Sequence, residues 1–331
     1  MADSKNTLLL PFEQGILTPP APGENWVFLN SEVLPDSESI SLELLTCEQG
    51  LRPKFNQLQR AGYDVQPLLE SAETVDGCLI LADRVRAVNE YNLTRGWNRL
   101  KAGGLLVYCG DKKMGVQSVR KWLSSKIKLE SSQSKHHAIV FWARKTGDNW
   151  QLPDLEVKVD GFQRSAGMFS ADGPDVGSVL LAQQINERIA GRVADFGAGW
   201  GYLAKQIVQK SPHINALELF EADWASLEAA KKNVGEKALY HWCDLAAEPP
   251  RGPFDWVIMN PPFHQGRAAE PELGIKFIQA AARVLPSGGR LLMVANVNLP
   301  YEKTLDALFR RVERLDQANG FKVIQAVKGG R

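Results

Sequence analysis

Short apolar runs alternate with amphipathic stretches along most of this chain, and the cycle occurs twice. Asp76–Ala82 (DGCLILA) precedes a helical stretch, Arg86–Leu100. Leu100–Tyr108 (LKAGGLLVY), the helical Val116–Lys126 and the apolar His137–Trp142 follow. Later, Asp255–Met259 (DWVIM) precedes the helical Ile275–Leu285. Leu285–Val294 (LPSGGRLLMV), the helical Glu302–Val312 and Phe321–Val327 follow. Gly103-Gly104 and Gly288-Gly289 fall at matching places, and each pair reads as a turn before a buried strand. Strands spaced by helices require crossover connections, hence mainly parallel sheets with helices on both faces. A repeat of this length is a repeat of a whole domain. The expected fold is α/β, two doubly wound Rossmann-like domains in tandem. The 331 residues leave room for both at ~100–200 residues per domain.

The rhythm breaks over residues 145–178, which hold Gly147, Pro153, Gly161, Gly167, Gly173, Pro174 and Gly177. This stretch reads as a linker, and the division is put at 150/151. Residues 1–40, rich in Pro, Glu and Ser, are given no element. Ile40–Leu45 is read as the first strand and Arg52–Ala61 as the first helix. In the second half, Arg192–Phe196, Ala216–Phe220 and Leu239–Cys243 read as strands, and Val179–Ile189, Tyr202–Gln209 and Trp224–Val234 as helices.

Composition excludes several classes. No apolar run approaches the ~20 residues of a membrane span. Met1–Leu10 lacks the basic start and cleavage site of a secretory signal. Cys47, Cys78, Cys109 and Cys243 form no close pair, and no His cluster completes a metal set. A cytoplasmic protein with reduced thiols, no metal and no membrane contact is expected.

The strongest local signal is Asp195-Phe196-Gly197-Ala198-Gly199-Trp200-Gly201, which follows an apolar run and opens a helix. Glycines there let the backbone turn sharply and approach a ligand, and the helix start offers free N–H groups. Glu221 ends the next strand, where an acid accepts hydrogen bonds from a ribose. A dinucleotide loop would read Gly-x-Gly-x-x-Gly. Gly-x-Gly-x-Gly with an Asp two residues upstream suits S-adenosylmethionine, whose sulfonium and ammonium favour a carboxylate and which has no pyrophosphate.

The second signal is Asn260-Pro261-Pro262-Phe263, directly after Trp256–Met259. An exocyclic or amide NH2 is a poor nucleophile because its lone pair is delocalised. The Asn260 side-chain carbonyl and the Pro261 backbone carbonyl can each accept one of its N–H bonds and hold the nitrogen. The prolines stiffen the loop and remove competing donors. Phe263 offers a face for a planar base.

With these pieces the second half resembles the catalytic domain of class I S-adenosylmethionine-dependent methyltransferases, and among them the ribosomal RNA small-subunit methyltransferase C family. Phe169–Ser178, Val294-Ala295-Asn296 and Leu299-Pro300-Tyr301 complete the resemblance. It implies tandem methyltransferase folds, the first without cofactor motifs, and methylation of guanine N2. It implies that Asp195, Gly197, Gly199 and Gly201 form the cofactor loop and that Glu221 binds the ribose. It places Asp244 at the adenine amino group, and Asp175 and Gly177 in a segment covering the cofactor. His264 is not needed as a base, since a methylated amine loses its proton readily.

The first half lacks both motifs. Where the repeat would put Asn-Pro-Pro-Phe it has Ala82-Asp83-Arg84-Val85. Lys112 to Lys145 carries a net charge of +8 in a chain of net +1, while residues 1–76 carry −8. A basic concentration suits a phosphate backbone. A solvated helix surface explains such a run equally well. The resemblance decides for RNA, so residues 1–150 are expected to recognise RNA and 151–331 to catalyse. Ribosomal RNA or a ribosomal particle is the expected partner; the sequence does not fix the oligomeric state, and a monomer is favoured over an oligomer. Methylation of a protein glutamine N5 or adenine N6, and a non-catalytic RNA-binding assembly role, are the alternatives.

Overall fold

Four-residue apolar runs with no polar face suit strands covered on both sides. The computed structural model uses them that way. It describes residues 3–35, 39–71, 73–262, 264, 265, 268, 269 and 271–330, and the chain divides between Glu156 and Val157.

The first unit begins with α1 (Ser4–Glu13) and β1 (Trp26–Leu29). Next come β2 (Leu45–Glu48), α2 (Arg52–Arg60), β3 (Asp64–Gln66), β4 (Val75–Leu81) and α3 (Arg86–Arg99). β5 (Leu100–Asp111), α4 (Val116–Ser124), β6 (Ser131–Lys135) and β7 (Ala138–Arg144) complete it. The sheet order is β3-β2-β1-β4-β5-β7-β6; β1 to β5 are parallel, while β7 runs antiparallel to β5 and β6 to β7. Trp26 and Phe28 pack on one face with Leu8, Leu9 and Phe12 of α1, and Val27 and Leu29 on the other with Leu93 and Trp97 of α3.

A hairpin, β8 (Glu156–Val159) and β9 (Phe162–Ser165), begins at the division, and the second unit continues with α5 (Val176–Ala182), β10 (Ala190–Phe196), α6 (Tyr202–Lys210) and β11 (His213–Glu221). There follow α7 (Trp224–Val234), β12 (Leu239–Trp242), β13 (Trp256–Met259) and a short antiparallel pair, β14 (His264–Gln265) with β15 (Ala268–Ala269). The chain closes with α8 (Pro271–Val284), β16 (Arg290–Asn296), α9 (Glu302–Leu308), β17 (Arg311–Ala318) and β18 (Phe321–Val327). Its order, β12-β11-β10-β13-β16-β18-β17, is the same arrangement strand for strand, again with the last two strands antiparallel.

The likeness extends to single hydrogen bonds. Asp76 N–H donates to Asn25 O, and Asp255 N–H to Arg192 O, both at 2.8 Å. Gly103 N–H donates to Lys145 O at 2.9 Å while Lys145 N–H donates to Gly104 O at 2.8 Å. Gly288, Lys328 and Gly289 repeat that exchange at the same two distances. Pairing of Trp26 with Gly77 and of Val193 with Trp256 sets the two frames in register. Phe28 then stands for Asp195, Asn30 for Gly197 and Leu81 for Asn260. The counterpart of Asn-Pro-Pro-Phe is therefore Leu81-Ala82-Asp83-Arg84, one residue earlier than Ala82-Asp83-Arg84-Val85.

Several expectations need correction. Ile40–Leu45 is not a strand: a 3-10 turn occupies Leu42–Leu44 and the strand starts at Leu45. Residues 1–40 hold a helix and the central strand β1. Gly103-Gly104 is no turn; β5 runs through it, with Gly103 at φ 78° and a register shift between Val75 and Gly77 on the neighbouring strand. The stretch 145–178 contains the β8–β9 hairpin and the start of α5, which spans Val176–Ala182 instead of Val179–Ile189. The helix expected over Glu302–Val312 stops at Leu308, and Arg311–Ala318 is a strand.

Candidate functional site

Asp195, Glu221 and Asn260 meet at the carboxyl edge of the second sheet. β10 and β13 are neighbours, Asp195 opposite Ile258 and Phe196 opposite Met259, so both loops leave at one edge. Glu221 ends β11 on the other side of β10. Strand order reverses between β10 and β13, the place where doubly wound sheets bind ligands.

The three loop glycines serve different ends. All have positive φ, 72° at Gly197, 55° at Gly199 and 88° at Gly201, which an L side chain resists. Gly197 N–H donates to Phe220 O at 2.8 Å, tying the loop to β11. A Cβ on Gly199 would find nothing within 4 Å, so the loop faces open space there. A Cβ on Gly201 would stand 2.9 Å from Val234 Cγ2 and 3.2 Å from Ala230 Cα. Gly201 thus lets α6 start hard against α7.

Asp195 is fully buried with neither carboxylate oxygen in a well-formed hydrogen bond among the described residues, although the Ala204 backbone N–H lies close enough to favour its charged form. Burial, helped by the nearby Glu221 charge, pushes its pKa up to about 7. Glu221 fastens the loop: its Oε2 accepts from Gly199 N–H at 2.7 Å, and its Oε1 from Ala222 and Asp223 N–H at 2.8 Å each. Burial raises its pKa to about 7 as well.

Asn260 follows β13. Its Nδ2 donates to Asp175 Oδ2 and to Ser178 Oγ, both at 2.8 Å. Its Oδ1 is buried with no partner among the described residues. Pro261 is buried and Pro262 exposed. Phe263 lies outside the described residues, as do the side chains of His264 and Gln265, and Gly266 and Arg267. Asp175 caps α5, its Oδ2 accepting from Ser178 N–H at 3.0 Å. Gly177 is packed: a Cβ there would meet Phe321 Cδ1 at 2.9 Å and Asp175 Oδ2 at 3.0 Å. Asp244 closes a turn, its Oδ1 accepting from Ala246 N–H at 3.0 Å. Sequence reasoning did not single out Ser178, although it ends the Phe169–Ser178 segment. Trp200, quoted within the glycine loop but given no role, donates its indole N–H to Phe169 O at 3.1 Å and pins that segment.

Residues 161–325 match the family model described as Methyltransferase small domain. Ribosomal RNA small subunit methyltransferase C of Erwinia tasmaniensis is 30% identical over 281 residues, covering 79% of this chain and 79% of that protein. The Shewanella loihica protein of the same name is 26% identical over 340 residues, 97% of this chain and 94% of that one. The chain belongs to the ribosomal RNA small subunit methyltransferase C family. A solved T. thermophilus 16S rRNA N2 G1207 methyltransferase, in complex with AdoMet and guanosine, shares the fold with a TM-score of 0.81. It is 24% identical, and the match covers 98% of this chain and 91% of that one.

In this member of the methyltransferase C family the site fits S-adenosylmethionine on two counts. The Asp195 carboxylate is a buried acceptor at the foot of the loop with no well-formed hydrogen bond among the described residues, able to offset a cation. The missing side chain at Gly199 leaves room for a ligand against the backbone. Among the described residues no three His, Cys, Asp or Glu side chains are grouped to hold a metal, and no helix is long and apolar enough to cross a membrane.

Proposed function

We propose that the protein transfers a methyl group from S-adenosylmethionine to N2 of a guanine in 16S ribosomal RNA. The observation that carries this reading is the Asn260 amide. Its nitrogen is occupied by Asp175 and Ser178, and its oxygen is left over as an acceptor beside the Asp195 loop. That oxygen takes one N–H of the target amine and the Pro261 carbonyl the other, leaving lone-pair density for attack. The donor supplies an electrophilic methyl on its sulfonium. Asp195 balances the ligand's positive charge, the Gly197–Gly199 backbone lets it approach, and Glu221 offers remaining lone pairs to a ribose diol. Gly201, Gly177 and Asp175 shape the loops around it, and Asp244 supplies its second carboxylate oxygen at the adenine end. Phe263 is the stacking face for the base. Chain groups contribute proximity, orientation and pre-aimed hydrogen bonds.

Residues 1–150 supply RNA contacts in this reading, and 151–331 the chemistry. An open groove of about 460 Å³ in the first unit is lined by Arg120, Lys128, Ser124, Ser131 and Ser132 together with the apolar Ile127 and Leu129, so basic and hydroxyl groups able to meet phosphate oxygens stand beside apolar side chains. The protein acts on ribosomal RNA in the cytoplasm.

The test is transfer of labelled methyl from S-adenosylmethionine into small ribosomal subunits or free 16S RNA, followed by nucleoside mass spectrometry. The expected product is N2-methylguanosine. Label in protein, or in N6-methyladenosine alone, overturns the reading.

A further inference from the structure

An amide side chain has two faces of opposite polarity, and only one of them serves an amine acceptor. Turned about, Asn260 would present an NH2 group to another NH2 group. What decides its orientation lies on α5. Asp175, as a carboxylate, can only accept, so the Asn260 atom 2.8 Å from its Oδ2 has to be the nitrogen. The second N–H goes to Ser178 Oγ, also at 2.8 Å. Both donors are thereby used, and Oδ1 remains without a partner among the described residues. Asp175 is itself held. The same Oδ2 caps α5 through Ser178 N–H, and the bare Cα of Gly177 leaves that oxygen its space beneath Phe321.

We propose that Asp175 and Ser178 are positioning residues that lock the Asn260 amide with its oxygen toward the target amine. This rests on the reading of Asn260 as the amine's acceptor. Neither side chain needs to touch the cofactor for this task, which differs from the covering role expected of Asp175.

Substitutions at either end of the contact test it. Asn260→Asp sets two carboxylates against each other and removes the donor, so kcat is expected to fall by about 10² or more. Asp175→Ser, which keeps a hydroxyl cap for α5 but no longer reaches the amide, is expected to lower kcat by about tenfold with S-adenosylmethionine affinity and KM for RNA unchanged. Wild-type kcat in Asp175→Ser overturns the proposal. A second measurement is independent of turnover. In 15N-labelled protein the Asn260 side-chain NH2 should exchange slowly with solvent. In Asp175→Ser/Ser178→Ala it should exchange faster, because serine still caps the helix but is too short to reach the amide. Unchanged exchange, with the fold intact by thermal unfolding, overturns the proposal even if wild-type protein methylates rRNA. Wild-type protein that shows the slow exchange but methylates no RNA sinks the functional reading and leaves the amide lock standing.

Discussion

In the proposed reading Asn260 touches the acceptor and not the donor, and the two can be separated by measurement. Asn260→Ala is expected to leave S-adenosylmethionine affinity within about twofold while lowering kcat by about 10²–10³. Calorimetry beside single-turnover rates checks both halves, and near-wild-type turnover would remove Asn260 from the chemistry. Asp195 predicts a pH dependence. Its pKa of about 7 lies above that of an unfolded aspartate, so burial favours the neutral form. That contribution to stability is complete at acid pH and is lost as pH rises through about 7. A cationic ligand has the opposite preference. Affinity for S-adenosylmethionine should therefore rise between pH 6 and 8, as an expected outcome of that shift. Asp195→Asn should flatten part of this rise and unfold at a higher temperature than wild type at pH 8, without the ligand. A pH-independent affinity in wild type would show that the carboxylate does not meet the ligand's charge.

Among the elements, the glycine loop separates two effects that a motif treats as one. Gly199→Val enters open space at a φ of 55°, so it costs backbone strain of about 1–3 kcal/mol and takes the ligand's room. Loss of cofactor binding with the fold retained is expected. Gly201→Ala instead drives a methyl into Ala230 and Val234, and should lower the melting temperature more than it lowers affinity. The reverse ranking would mean that the ligand lies over Gly201.

The same scale shows what the sequence made legible. Gly77–Leu81 and Trp256–Met259 were readable because central strands covered on both faces are unbroken apolar runs. Trp26–Leu29 is such a run but hides behind Pro19, Pro20 and Pro22, whose punctuation suggests an unstructured lead. Ser131–Lys135 and Arg311–Ala318 are edge strands with polar, half-exposed residues, and nothing in Ser-Ser-Gln-Ser-Lys distinguishes strand from loop. The Asp195 and Asn260 motifs were legible because each is contiguous. The bond from Asn260 to Asp175 and Ser178 spans more than eighty positions, and only the meeting of α5 with the sheet edge reveals it.

At the scale of the molecule the question is where RNA is held. The basic run from Lys112 to Lys145 shrinks when seen in three dimensions. Lys145 is buried, its ammonium donating to Trp97 O and Asn149 Oδ1 at 2.7 Å. Arg144 lies 3.6 Å from Glu130. Lys126 sits 5.2 Å from the Trp122 ring and 5.4 Å from that of Trp150, and Lys128 lines the first unit's groove. Reversing Lys121, Lys126 and Lys128 to Glu should weaken RNA binding and flatten its salt dependence by roughly one unit of log–log slope for each phosphate no longer neutralised. Cofactor affinity should not move. Filter binding over a salt series checks this; wild-type affinity and slope would leave these lysines as solvated surface.

Asn30 stands in the first frame where Gly197 stands in the second, and it keeps a positive φ, 49° against 72°. Its side chain reaches the carbonyl of Leu81, the counterpart of Asn260, at 3.1 Å. Phe28, in the place of Asp195, is sealed in the core. The bend that leaves open room in one half is filled from within in the other. The backbone contour recurs where the glycines do not, like a doorway bricked up with its arch intact. Such a contour gives no warning in a scan for glycines, and only the path of the chain betrays it.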